Sequence, residues 1–156
     1  MNRSLRGFSL VEAMIALLLL SLGLLGAWSV LLASLQSHAD ALREASAQRL
    51  VQDMAERIRA NARAGHLYDS DDATPAPASC DALTACDAAQ LAGADLLAFA
   101  DAAQRELPGT GAQTLVDYEP AIGTAAADRY VITLRWRSAR DLRTVTLQWL
   151  APPVAG

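Results

Sequence analysis

The 23 residues from Ala13 to Leu35 carry no charge, and this run restricts the chain more than any other feature. A helix needs about 20 apolar residues to cross a bilayer, so the run is long enough to span one. Directly in front of it stands Glu12, preceded by Gly7, Phe8, Ser9, Leu10 and Val11 and by a short basic leader with Arg3 and Arg6. An ionised carboxylate at the middle of the hydrocarbon costs roughly 2.5–3.5 kcal/mol, so an acid at the mouth of such a run needs a reason. The plain one is a side chain that reaches back to the headgroups.

An ordinary secretory signal has a short apolar core and is cut after it, at small residues. Here the small-residue junction beside the basic leader, Gly7-Phe8, comes before the core. A cut there removes residues 1–7 and leaves the helix on the mature chain. The leader Arg are held on the cytoplasmic side, so the bulk of the chain faces outward. Within the run no proline intervenes; Gly23 and Gly26 are its weak points, at roughly 1 kcal/mol each relative to Ala.

No breaker follows Leu35. Residues 36–64 hold neither Gly nor Pro, and Leu50, Met54 and Ile58 recur at i, i+4 and i+8 with Ala47 and Val51 beside them. This is a narrow amphipathic stripe, too short for a coiled coil. Arg49–Asp53 and Asp53–Arg57 read as i,i+4 pairs on the wet face. Gly65 reads as the stop signal. The spacing therefore predicts a helix over 8–64, roughly 85 Å long at 1.5 Å per residue. Its first part, 8–35, is apolar all round, and its second, 36–64, on one face only.

The remainder, 65–156, predicts a small head. His66 to Ser79, with Asp69, Asp71, Asp72, Pro75 and Pro77, reads as a polar loop, and its acids lack the ordered spacing of a calcium loop. Outside the cytoplasm Cys80 and Cys86 read as a short-loop disulfide; His38 and His66 lie too far off in sequence to favour a metal site. Asp87-Ala88-Ala89-Gln90 has the layout of a capping box opening a helix over about 87–107. Ala92, Leu96, Phe99, Ala100, Ala103 and Leu107 line one side, and Pro108-Gly109 ends it. Strands follow over about 114–150. Thr114 to Tyr118 is a short one; Tyr130, Ile132, Leu134 and Trp136 alternate with Val131, Thr133, Arg135 and Arg137; Ser138 to Asp141 turns; and Val145, Leu147 and Trp149 alternate again. The expected class is α+β, a long N-terminal helix packed on a small antiparallel sheet.

Charge and composition exclude several functions. The net charge of −4, with no Lys among 13 basic residues, argues against wholesale nucleic-acid binding, which needs a basic surface. The charge is uneven: Arg105 is the one base between His66 and Asp128, against eleven acids, whereas Arg129 to Trp149 hold five Arg and Asp141. Such asymmetry predicts pairing of the two halves within the head, with contact between neighbouring molecules as the alternative. Arg135, Arg137, Arg140 and Arg143 with Trp136 could touch a nucleic-acid backbone and stack a base; a solvated strand face is the simpler reading. There is no nucleophile–base pair, no acid–base dyad in an apolar setting and no phosphate loop, so neither an enzyme nor a bound cofactor is expected.

Gly7-Phe8-Ser9-Leu10-Val11-Glu12, followed by Ala13-Met14-Ile15-Ala16-Leu17, resembles the class III signal of type IV pilins and type II secretion pseudopilins. The resemblance implies cleavage between Gly7 and Phe8 by prepilin peptidase and N-methylation of Phe8. It also implies an assembly role for Glu12. The new amine of Phe8 and a neighbouring subunit's Glu12 would pair in a low-dielectric filament core, where good geometry offsets the burial cost and sets register. Residues 46–61, Ser-Ala-Gln-Arg-Leu-Val-Gln-Asp-Met-Ala-Glu-Arg-Ile-Arg-Ala-Asn, are similar to the corresponding block of PilV-type minor pilins. Asp95-Leu96 again looks similar. This implies a type IV pilin-like fold and a minor pilin that helps initiate or cap a pilus. The implied partners are the other minor pilins, the major pilin, a tip adhesin and the inner-membrane assembly platform. The implied location is the bacterial inner membrane with a periplasmic head, then the pilus, at its tip. The rival is a minor pseudopilin of type II secretion, which shares leader and fold.

Overall fold

The structure, a computed structural model, describes residues 10–70, 80, 86–107, 109–122, 127–138 and 141–151. It divides into two compact units, Met1–Ala41 and Leu42–Gly156. Helix α1 runs Leu10–Ala60, with Glu12 in its first turn and Arg57 and Arg59 in its last, both charges favourable to the helix dipole. In the first unit every described residue is helical and none is buried. Gly23 and Gly26 lie inside the unbroken helix, and the Ser29 hydroxyl donates back to the Gly26 carbonyl at 2.7 Å.

In the second unit the stripe of α1 does what its spacing predicts. Ala47, Leu50, Val51, Met54, Ala55 and Ile58 are all buried. The helix ends earlier than expected, at Ala60 rather than Ala64. Asn61 leaves helical geometry (φ −117°, ψ 44°) because its amide is drawn inward, donating to the Ala88 carbonyl at 2.9 Å. A 3-10 segment, Ala62–Tyr68, follows, and Gly65 (φ 53°, ψ −123°) carries the backbone sign that a side chain resists. The expected polar loop thus begins late. Tyr68 is fully buried, Asp69 and Ser70 dock on the sheet, and Asp71 to Ser79 lie outside the described residues.

Helix α2 spans Ala88–Glu106 and opens on the predicted capping box: the Asp87 carboxylate accepts from the Gln90 N–H, and the Gln90 side chain accepts from the Asp87 N–H. Ala92, Phe99, Ala103 and Leu107 are buried and Leu96 packs against the same core. Gly109 (φ 71°) turns the chain toward the strands. Strands β1 (Gln113–Glu119), β2 (Asp128–Arg137) and β3 (Leu142–Ala151) form one antiparallel sheet in the order β1-β2-β3. Tyr130, Ile132, Leu134 and Trp136 of β2 face the core and are buried. Their alternation with Arg129, Arg135 and Arg137, which are exposed, follows from the two-residue period of a strand. The result is a long helix packed on a three-stranded antiparallel sheet, an α+β fold.

Candidate functional site

Two stretches need positioning: the N-terminal segment around Glu12 and the junction that fixes the 3-10 segment and α2 to α1. Gly7 and Phe8 lie outside the described residues. Glu12 sits on the first turn of α1, where the unpaired N–H groups of a helix end favour an anion. Behind it the apolar side chains point outward on all sides: Leu17 is 66% exposed, Leu24 62% and Trp28 63%. By length and composition α1 is apolar enough to cross a membrane. A helix apolar all round and, among the described residues, left uncovered is built to be covered by lipid or by other helices.

At the other end of α1, Asp53, Arg57 and Asn61 follow at i, i+4 and i+8, beside the buried Met54 and Ile58. The Arg57 guanidinium bridges two acids, donating to Asp53 on its own helix at 2.9 Å and to Asp95 of α2 at 3.0 Å. Asp95 is buried, and its second oxygen accepts from the Tyr68 hydroxyl at 2.7 Å. The Asn61 amide closes the set on the Tyr68 oxygen and the Ala88 carbonyl. Helix, 3-10 segment and α2 are thus joined by one chain of polar contacts. The bonds to Asp53 and Asp95 raise the Arg57 pKa and keep it charged, while burial, then the bond to Asp95, lifts the Tyr68 phenol above its ordinary range. Both partners are held in the ionisation state the contacts require. Arg57–Asp53 is the i,i+4 pair the spacing predicts; Arg49 instead reaches Glu106 at the end of α2.

The sequence reading gave Asp95 no role beyond its similarity and did not single out Tyr68. The available signal was an acid set among the apolar positions of α2, between Ala92 and Phe99, where only a buried partner justifies it. Arg59, the other base of the block, lies over the Trp149 ring at 5.0 Å. Trp149 in turn stacks on Tyr130, and Tyr130 meets Tyr118, so one aromatic row crosses all three strands. The 46–61 block is therefore a fastening surface from end to end.

Cys80 and Cys86 are joined by a disulfide, with Cα atoms 6.0 Å apart, just ahead of the α2 cap. Of the expected pairing between the acidic and Arg-rich halves, the described residues show Arg129 with Glu119; the acids Glu106 and Asp95 are met instead from α1, by Arg49 and Arg57. The nucleic-acid reading loses its stacking group: Trp136 is buried, because it occupies an inward position on β2. Arg135, Arg137 and Arg143 are exposed on the sheet, and Arg140 lies outside the described residues.

An exposed apolar N-terminal helix that continues under a small antiparallel sheet is the architecture of the type IV pilin class. Comparison with known families agrees. Residues 2–28 match the prokaryotic N-terminal methylation motif, and residues 30–97 match the family described as type IV pilin Tt1218. Over these two stretches the chain is similar to the type IV pilins, a family of structural subunits. No curated protein and no solved structure gave a match.

Proposed function

We propose that this type IV pilin is a minor one, of the PilV type, that co-assembles into a pilus and helps initiate or cap it. The observation that supports this is the 46–61 block, whose similarity to PilV-type pilins falls on the residues that fasten the head: Asp53, Arg57, Asn61, Met54 and Ile58. Prepilin peptidase cuts between Gly7 and Phe8 and the new amine of Phe8 is methylated. Glu12, one turn into the helix, then pairs with such an amine in a neighbouring subunit and sets the register of insertion. Other minor pilins and the major pilin contact the apolar half of α1, with the assembly platform before export and a tip adhesin after it. The head is periplasmic until the subunit enters the pilus. Its role is structural, without catalysis or cofactor.

Two outcomes test this. Glu12→Ala is expected to be cut normally, giving a mature N-terminus at Phe8, and to be missing from sheared filaments; normal incorporation removes the register role. A deletion strain is expected to lose pili with secreted-enzyme levels unchanged. The opposite pattern assigns the chain to type II secretion.

A further inference from the structure

The two edges of the sheet are treated differently. On β1 the outward-facing groups are closed off: the Ser70 N–H donates to the Val116 carbonyl, the Val116 N–H to the Ser70 hydroxyl, and the Tyr118 N–H to Asp69. On β3 no described residue does this. The β1 contacts also fix which β3 groups face outward. Val116 bonds away from β2, so in an antiparallel ladder its opposite residue Ile132 bonds toward β3 and its partner Leu147. Leu147, Val145 and Trp149 therefore spend their backbone groups on β2. Thr144, Thr146, Gln148 and Leu150 turn theirs to the open side.

Among the described residues this edge lacks the usual protections. Natural edge strands are blunted by proline, bulges, lysines or shortness. Strand β3 is 10 residues long, pairs with β2 without a skipped residue, and contains no proline and one charge, Arg143. The core is also unfinished beneath it. Ile132, Leu134 and Tyr130 of β2 are fully covered, whereas Leu147, Val145 and Trp149, directly opposite them on β3, are only half-buried.

We infer that the β3 edge receives an extended segment of a partner protein, added as a fourth strand, with apolar residues alternating over Val145, Leu147 and Trp149 and a carboxylate beside Arg143. Main-chain bonds to Thr144, Thr146 and Gln148 supply affinity, and the alternating side chains supply selectivity. The acid follows from charge: Arg143 is exposed at one end of the strand, and no acid of β3 answers it. A second copy of the chain fits less well. Two antiparallel β3 edges pair about an axis normal to the sheet, so the α1 segments on the inner faces run in opposite senses. Strand β3 holds no acid, so a second β3 edge offers no carboxylate to Arg143. The inference is independent of whether the pilin is minor or major.

The test uses the full chain in detergent micelles and a short acetylated, amidated peptide alternating valine and threonine and ending in glutamate. Saturable binding is expected, with the amides of Thr144, Thr146 and Gln148 becoming protected from hydrogen exchange while those of β1 do not change. Thr146→Pro removes an edge donor without breaking the β2–β3 ladder, since proline is tolerated where the N–H faces outward. It is expected to stay folded, giving up the 3.4 Å contact between the Thr146 and Thr133 hydroxyls, and to lose the peptide. Arg143→Glu is expected to weaken the glutamate peptide roughly fivefold or more and to restore binding when the peptide ends in lysine. Absence of binding, equal binding by a folded Thr146→Pro variant, or indifference to the charge swap overturns the proposal. So does protection of the same amides by self-association in the absence of peptide.

Discussion

Asp95 is the residue on which the attachment of the head turns. It is buried, it faces an arginine from one helix and a phenol from the 3-10 segment, and each of its oxygens is used. Truncating it leaves the Tyr68 hydroxyl only the long 3.4 Å contact to the Arg57 carbonyl, and Arg57 with half of its side-chain bonds. Asp95→Ala is expected to cost the head about 2–3 kcal/mol, discounted because Arg57 is partly solvated. Urea unfolding measures this, and Tyr68→Phe combined with Asp95→Ala should cost less than the two separately, because they share one hydrogen bond. Tyr130 gives a second expectation. Burial pushes its phenol up to about 12 from an ordinary 10. A raised folded-state pKa means that the folded head holds the proton more tightly. Stability is then intact below pH 10 and falls by roughly 1.4 kcal/mol per pH unit as the pH rises toward the folded value. Tyr130→Phe should make the decline between these values shallower by about one proton; Tyr68 and Tyr118, shifted in the same direction, keep the remainder.

At the scale of elements, periodicity was a good guide wherever one face meets water. The α1 stripe, the α2 capping box and the alternation of β2 and β3 lie where the residues predicted them, because period and cap chemistry are local properties. The end of α1 was not legible in the same way. Gly65 carries a helix-stop sign, but the tertiary bond of Asn61 to the Ala88 carbonyl stops the helix at Ala60, and no local rule foresees a partner so distant in sequence. Gly65 serves the turn inside the next segment instead. A Cβ built there meets nothing within 4 Å, so its cost is backbone strain alone. Gly65→Ala is expected to destabilise the head by roughly 1–3 kcal/mol despite the open space. Thermal melting checks it: an unchanged midpoint would mean that the 3-10 segment relaxes to a conformation any residue adopts.

For the whole molecule, the division of labour along α1 sets what can be separated. All the buried core residues, from Ala47 to Ala151, belong to the second unit, Leu42–Gly156, and every described side chain of the first is unburied. Among the described residues the apolar half therefore contributes no folding energy through burial. The head draws its stability from Trp136, Tyr68, Tyr130, Met54 and Ile58, each fully covered and each worth on the order of 1.5–3 kcal/mol. The sequence shows this division directly, as a charge-free run that gives way to a one-faced stripe; which partner covers the run is set by other chains. A fragment of residues 42–156 is expected to stay in solution without detergent and to unfold in one cooperative step. Its midpoint should lie within about 5 °C of the full chain's in micelles, a margin equal to roughly 1 kcal/mol for a head of this size. Calorimetry of the two proteins at one pH measures it. A fragment that melts without cooperativity would show that α1 needs its apolar half to hold the stripe in register against the sheet.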